Sequence, residues 1–423
     1  MGRVRHYLVG LTVLLALFLF SDLKAQINAL NSIGGFESDL PSYWKMGKQT
    51  GATLSWATDQ SRSMGRSLKI VKTAATSDSV YWISENMADV WSPRIYKQVD
   101  IFLGAYVRTE NVNTNPSGED AKWWISYTFY DSAGAKIGEE KLPIDQSKAS
   151  TGGWVADTNN VGQTILPKDA WTLIIKFVAG KNATGTVWAD DFMLIGRNGG
   201  WAGQDWNTSV GMPTGWNYWL PPVGGNDGKL TDGYENTRVT TEAAHTGKYS
   251  LKFDIPKGTH DGWVGTKRFP LDPGIKAGDV LRLSVWVKAS RLLPDSAAKN
   301  PTSWAVGFTP LVHSGWKNND SPYDEKGPDM QFAFPTTKAD TAFDWTQYFA
   351  YFTVPTPDAG KPDYKALSLR LHVYGRFQGL IYFDDVKVEK MVDAVTDINS
   401  IGGFESDLPS YWKMGKQTGA TLS

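Results

Sequence analysis

NSIGGFESDLPSYWKMGKQTGATLS, residues Asn31–Ser55, recurs letter for letter as Asn399–Ser423, 368 residues further on. Self-similarity at a fixed offset marks a repeated structural unit. Identity this complete implies either a recent duplication or a cut through a longer array.

A weaker repeat lies inside the strong one. Leu40–Gly47 (LPSYWKMG) resembles Met212–Trp219 (MPTGWNYW), and Ala57–Ile70 (ATDQSRSMGRSLKI) resembles Thr240–Phe253 (TTEAAHTGKYSLKF). Ile101–Thr109 (IFLGAYVRT) resembles Leu281–Ala289 (LRLSVWVKA), and Gly185–Gly196 (GTVWADDFMLIG) resembles Gly379–Lys390 (GLIYFDDVKVEK). The four blocks keep one order, which points to two equivalent domains, at 27–197 and 198–391. Residues 392–423 then open another copy, the truncated start of a third domain.

Between these blocks, short runs rich in β-branched and aromatic residues alternate with Gly, Pro, Asn and Asp clusters. Ser67–Val71, Val99–Val107, Trp123–Tyr130, Trp171–Val178 and Gly185–Ile195 read as strands with one buried face. No long amphipathic helix is evident. The pattern predicts an all-β chain of two tandem jelly-roll β-sandwich domains.

At roughly 100–200 residues per domain, the 423 residues suit two or three domains. The formal net charge is −1 and basic residues form no run, which excludes a global field for nucleic acid or an anionic membrane surface. The amino terminus reads as a signal peptide over residues 1–25. Arg3 and Arg5 precede the apolar run Tyr7–Phe20, and Lys24-Ala25-Gln26 follows it. The run is short for a bilayer span, which needs about 20 residues, although a retained signal anchor is the alternative. No later segment could span a membrane. The chain is therefore expected to be secreted, extracellular or on the cell surface. It has no cysteine, so disulfides, thiol nucleophiles and thiolate metal sites are all excluded.

Gly34-Gly35-Phe36-Glu37, Trp44, Gly65-Arg66-Ser67-Leu68-Lys69 and Trp188-Ala189-Asp190-Asp191 in the first domain resemble the secreted carbohydrate-binding modules of the family 4, 9 and 22 type. Gly247–Lys252 (GKYSLK), Leu283–Lys288 (LSVWVK) and Phe383–Val386 (FDDV) match that pattern in the second. The resemblance implies jelly-roll modules and a structural Ca²⁺ held between the first strand's Glu and an Asp of the closing pair. Calcium takes six to eight oxygen ligands. Carried over, this gives Glu37 with Asp190 or Asp191, Asp190 being favoured, and Asp384 in the second domain. There Gly199-Gly200-Trp201-Ala202 lacks the Glu. The plainer reading is that these aspartates cap turns or accept backbone hydrogen bonds.

Nineteen Trp, 17 Tyr and 18 Phe suit both sheet cores and exposed platforms for sugar rings. The candidates are Tyr81, Trp82, Trp123 and Trp124 in the first domain. Adjacent residues on a strand point to opposite faces, so at most one of each pair belongs to the core. Trp216, Tyr218, Trp219, Trp263, Trp304 and Trp316 are the second domain's candidates, with His313 and Arg376 as polar partners. Neither a zinc-binding HExxH nor a GxSxG elbow occurs, so no catalysis is expected. Two functions fit. One is a non-catalytic polysaccharide-binding protein. The other is a structural cell-surface or fibre protein, self-associating head-to-tail through the repeated terminal segment. If the chain is instead a piece of a longer one, that segment simply begins the next domain.

Overall fold

The computed structural model describes residues 31–85, 100–149, 152–156, 163–165, 167, 169–197, 206–208, 210–219, 237–255, 262–271, 274–294, 305–314, 325–326, 330–333, 341–374 and 377–391. The expected signal peptide and the second copy of the opening segment fall outside them.

The first sandwich runs through β1 (Trp44–Met46), β2 (Thr53–Ala57), β3 (Ser67–Lys72), β4 (Val80–Ser84), β5 (Asp100–Glu110) and β6 (Trp123–Tyr130). It continues with β7 (Lys136–Pro143), β8 (Val155–Ala156), β9 (Gln163–Ile165), β10 (Thr172–Ala179), β11 (Gly185–Arg197) and β12 (Trp206–Thr208). One sheet is ordered β1-β4-β10-β6-β7. The other is ordered β2-β3-β11-β5-β8, with β9 on β5 and β12 on β11. Alternation sends Trp82, Trp123, Ile125, Tyr127, Phe129 and Phe177 into the space between the sheets, where none is more than 1% exposed.

The second sandwich comprises β13 (Trp216–Trp219), β14 (Arg238–Thr240), β15 (Ser250–Ile255), β16 (Gly262–Thr266), β17 (Phe269–Pro270) and β18 (Val280–Pro294). After these come β19 (Ala305–His313), β20 (Glu325–Lys326), β21 (Met330–Ala333), β22 (Thr341–Thr353), β23 (Ala366–Tyr374) and β24 (Phe377–Lys390). Its sheets, β13-β16-β23-β19-β20 and β14-β15-β24-β18-β22, repeat the order of the first pair. The chain is thus all-β, as expected, and the recurring sequence blocks fall on equivalent strands. No helix among the described residues is long and apolar enough to cross a membrane.

The leading segments of the two sandwiches cross over. Pro41 and Pro213 form an antiparallel bridge. Around it Ser42 N–H donates to Met212 O at 2.8 Å and Thr214 N–H to Leu40 O at 2.9 Å. Upstream of this crossing, Asn31–Glu37 packs on the second sandwich. The Asn31 side chain accepts from Val388 N–H (2.8 Å) and donates to Val388 O (3.2 Å). Phe36 stacks on Trp216 with ring centroids 4.8 Å apart. A Cβ on Gly34 would lie 2.0 Å from Val386 O, so only glycine permits this approach. Conversely, β12 pairs with β11 of the first sandwich. Val210 is buried in that core, and its carbonyl accepts the Trp56 indole N–H at 2.5 Å. Each core is completed by the other sandwich's leader.

Val210 lies beyond the last strand that the first sequence block contributes, yet it belongs to the first core. Val210→Asp places an unpaired charge there and is expected to destabilise that core by about 3–5 kcal/mol. Denaturant unfolding followed by tryptophan fluorescence measures this. Wild-type stability for the variant would contradict the crossed arrangement.

Candidate functional site

The β1-β4-β10-β6-β7 sheet has an outer as well as an inner face. With Trp82 and Trp123 buried, their neighbours Tyr81 and Trp124 emerge half-buried on the outer face. The register places Tyr81, Val178, Trp124 and Pro143 in one row across β4, β10, β6 and β7. Tyr81 and Trp124 are two strands apart, about 10 Å, a span that accommodates two adjoining sugar rings. Gly47 makes room for the Tyr81 ring, since a Cβ there would come within 2.3 Å of it. Lys176 Nζ lies 4.9 Å from the Tyr81 centroid and Lys141 Nζ 5.8 Å from that of Trp124, both within cation–π range. Ser126 and Thr128, buried on the same face, form a small polar floor beside the rings.

The second sandwich carries the equivalent row. Trp44 pairs with Ser84 and Trp216 with Thr266. The two hydroxyls do the same work, accepting Ile175 N–H at 2.9 Å and Leu369 N–H at 3.0 Å. Counting from these anchors, Trp263 stands where Tyr81 stands, His372 where Val178 stands and Gly307 where Trp124 stands. The row is Trp219, Trp263, His372, Gly307 and Gln331. His372 Nε2 is 2.8 Å from Thr309 Oγ1, and His313 Nε2 is 2.7 Å from Ser368 Oγ on the same face.

Three sequence candidates are corrected. Trp82, Trp123 and Trp216 are each 0% exposed and pack the cores. Trp82 donates its indole N–H to Lys69 O at 3.1 Å. Tyr218 shares the row of the core residue Val264. Trp304, Trp316 and Arg376 lie outside the described residues.

Sequence reading missed the exposed pair Phe349 (48%) and Tyr351 (54%) on the edge strand β22. Their rings meet edge-on at 75° and share no plane for a sugar. It also missed Lys176 and Lys141, which only cross-strand register brings to the aromatics.

The paired aspartates act as turn clamps. Asp190 Oδ2 accepts the N–H groups of Arg62 (2.9 Å) and Ser63 (3.2 Å), and its Oδ1 accepts Asp191 N–H (2.8 Å). Asp384 repeats this with His245 (2.7 Å), Thr246 (3.2 Å) and Asp385 (2.7 Å). Asp191 and Asp385 both sit at φ 47° in bulges of β11 and β24. Asp191 ion-pairs with Arg62, whose guanidinium carbon lies 3.4 Å from the Tyr106 ring centroid. In the equivalent place, Asp385 holds His245 Nδ1 at 2.7 Å, and that ring stacks on Trp286. Burial pushes the Asp190 carboxyl well above its usual range, and the Asp191 charge adds to the rise.

Glu37 does not meet Asp190. Having crossed to the second sandwich, it accepts Lys248 N–H (2.8 Å) and Tyr249 N–H (2.6 Å), with Gly35 between it and Asp384. The oxygens of Asp190 and Asp384 all accept N–H groups. No group of three or more His, Asp or Glu suited to a metal occurs among the described residues.

No protein-family model and no curated protein matches the sequence. Among solved structures, the chain is similar to the N-terminal CBM22-1-CBM22-2 tandem domain of Paenibacillus barcinonensis Xyn10C, at 14% identity and a TM-score of 0.26, covering 85% of this chain and 96% of that one. It is also similar to the N-terminal cellulose-binding domain of Cellulomonas fimi β-1,4-glucanase C, at 17% identity and a TM-score of 0.23, over 42% of this chain and 90% of that one. TmCBM61, solved with β-1,4-galactotriose, matches at 12% identity and a TM-score of 0.22, over 42% of this chain and 88% of that one. At these scores the functional reading rests on the chain's own residues.

Burial raises the Asp384 pKa from 3.8 to about 6 against the pull of its three N–H donors. Between those values the folded chain keeps a proton that the unfolded chain has released. The group's contribution to stability is therefore greatest in acid and is lost as pH rises toward 6. The stability of the wild type relative to Asp384→Asn is expected to fall by about 2 kcal/mol between about pH 4 and about pH 7. Denaturant titrations across that window measure it, and a flat difference contradicts it.

Proposed function

We propose that the chain is a secreted, non-catalytic carbohydrate-binding protein that grips a polysaccharide on the outer sheet faces of both sandwiches. The observation that carries this reading is the register-equivalent row. Aromatics stand at Tyr81 and Trp124 in one sandwich, and at Trp219 and Trp263 in the other. Apolar sugar C–H faces stack on such rings, while hydroxyl groups take hydrogen bonds from Ser126, Thr128 and His372. Secretion rests on the order of charged, apolar and small residues in Met1–Gln26. The non-catalytic reading is supported by the acidic pairs, whose carboxylates are engaged by turn N–H groups inside the sandwiches rather than facing a groove.

Truncating a central stacking aromatic costs about 2 kcal/mol or more, roughly thirtyfold in affinity. Tyr81→Ala and Trp124→Ala together are expected to weaken retention in polysaccharide affinity gels by at least that factor. Melting should change little, since both rings are half-exposed. A double variant retained like the wild type would contradict the site.

A second reading, structural self-association, is favoured by the crossed leader. Asn399, Gly402, Phe404 and Glu405 repeat Asn31, Gly34, Phe36 and Glu37, which fill the site beside β24. Entry of this second copy into a neighbouring molecule would be a head-to-tail contact. On this reading the full chain forms larger species as its concentration rises, and Phe404→Asp abolishes them in sedimentation velocity. Identical sedimentation of the two proteins argues against it.

A further inference from the structure

Beside the aromatic row of the first sandwich runs a second row, Lys45, Ile83, Lys176, Ser126 and Lys141, across β1, β4, β10, β6 and β7. Lysine occupies every second strand, so neighbouring ammonium groups arise about 10 Å apart. That is the same interval that separates Tyr81 from Trp124.

Carboxylates near this face are already engaged by other lysines. Asp78 pairs with Lys48 at 2.5 Å, Glu139 with Lys136 at 2.6 Å and Glu119 with Lys122 at 2.6 Å. Glu85 pairs with Lys267 of the second sandwich at 2.8 Å. Lys45, Lys176 and Lys141 form no ion pair with a carboxylate among the described residues, although the Lys141 charge is felt at Glu119. Lys45 and Lys141 are exposed and Lys176 is half-exposed. The chain as a whole carries a net charge of −1, so the row is a local feature rather than a sample of a basic surface.

Resting on the glycan-binding reading of this face, we infer that its ligand is an acidic polysaccharide, one whose carboxylates project toward the lysine row at every second sugar. Sugar rings lie along Tyr81 and Trp124, and the acidic groups project sideways onto Lys176 and Lys141, with Lys45 extending the track at the β1 edge. The equivalent row of the second sandwich has Asn217, Gly265, Arg370 and Thr309 in place of Lys45, Ile83, Lys176 and Ser126. It keeps one cation at the central position. The first sandwich therefore carries most of the charge selectivity.

The test is affinity electrophoresis of the full chain in gels containing alginate or polygalacturonate, each beside its carboxyl-reduced, neutral form. Three such ion pairs near the surface give an expected preference of about tenfold or more for the acidic forms. That preference should shrink as salt is raised. In the triple variant Lys45→Gln, Lys176→Gln, Lys141→Gln the ratio of acidic to neutral binding should fall to about one. Equal binding of acidic and neutral forms by the wild type, or an unchanged preference in the triple variant, overturns the inference and leaves the glycan reading standing. Failure to bind any polysaccharide, acidic or neutral, overturns both.

Discussion

Trp82 and Trp123 are wholly buried. Because successive side chains on a strand point to opposite faces, their burial forces Tyr81 and Trp124 out of the other side of the same sheet. A core cannot accept both members of either pair. The same alternation turns Lys176 outward between Ile175 and Phe177, and Ser126 outward between Ile125 and Tyr127. The candidate binding face is thus a by-product of how the core is filled. A change that shifted the register of β4 or β6 by one residue would exchange platform and core together.

The crossing at Pro41 and Pro213 joins the two sandwiches into mutually dependent units. Phe36 fills the second core against Trp216, and Val210 fills the first beneath Trp56. Two further contacts bind the pair across the junction: Lys267 with Glu85 and the Tyr43 ring, and Arg66 between the rings of Trp56 and Tyr249. A chain without disulfides gains stability from such shared burial. The exchange also explains why Glu37 sits beside Asp384 rather than Asp190.

Much of this fold is legible in the sequence. Trp123–Tyr130 reads as a strand by composition and is one from end to end, and the recurring blocks land on equivalent strands of two sandwiches. The rule that an adjacent aromatic pair splits between core and surface is also legible, although which member goes inward is not. That depends on how β4 and β6 face β11 and β5, a long-range fact. The leader exchange is illegible for a related reason. A repeat identifies equivalent segments but not which copy each one packs against, and both choices satisfy the same local pattern. The lysine row escapes notice because Lys45, Lys176 and Lys141 are distant in the chain and are aligned only by cross-strand register. The aspartate clamps are legible as one of two readings: residue type alone allows a metal ligand or a turn clamp, and the neighbouring turns supply N–H donors to the oxygens of Asp190 and Asp384.

Hydroxyl-radical footprinting of the full chain, with and without saturating acidic polysaccharide, tests the binding face most directly. Protection of Tyr81 and Trp124, with Phe349 and Tyr351 on β22 oxidised at their unliganded rate, is the result this account predicts. Protection confined to Phe349 and Tyr351, with Tyr81 and Trp124 unchanged, would contradict it.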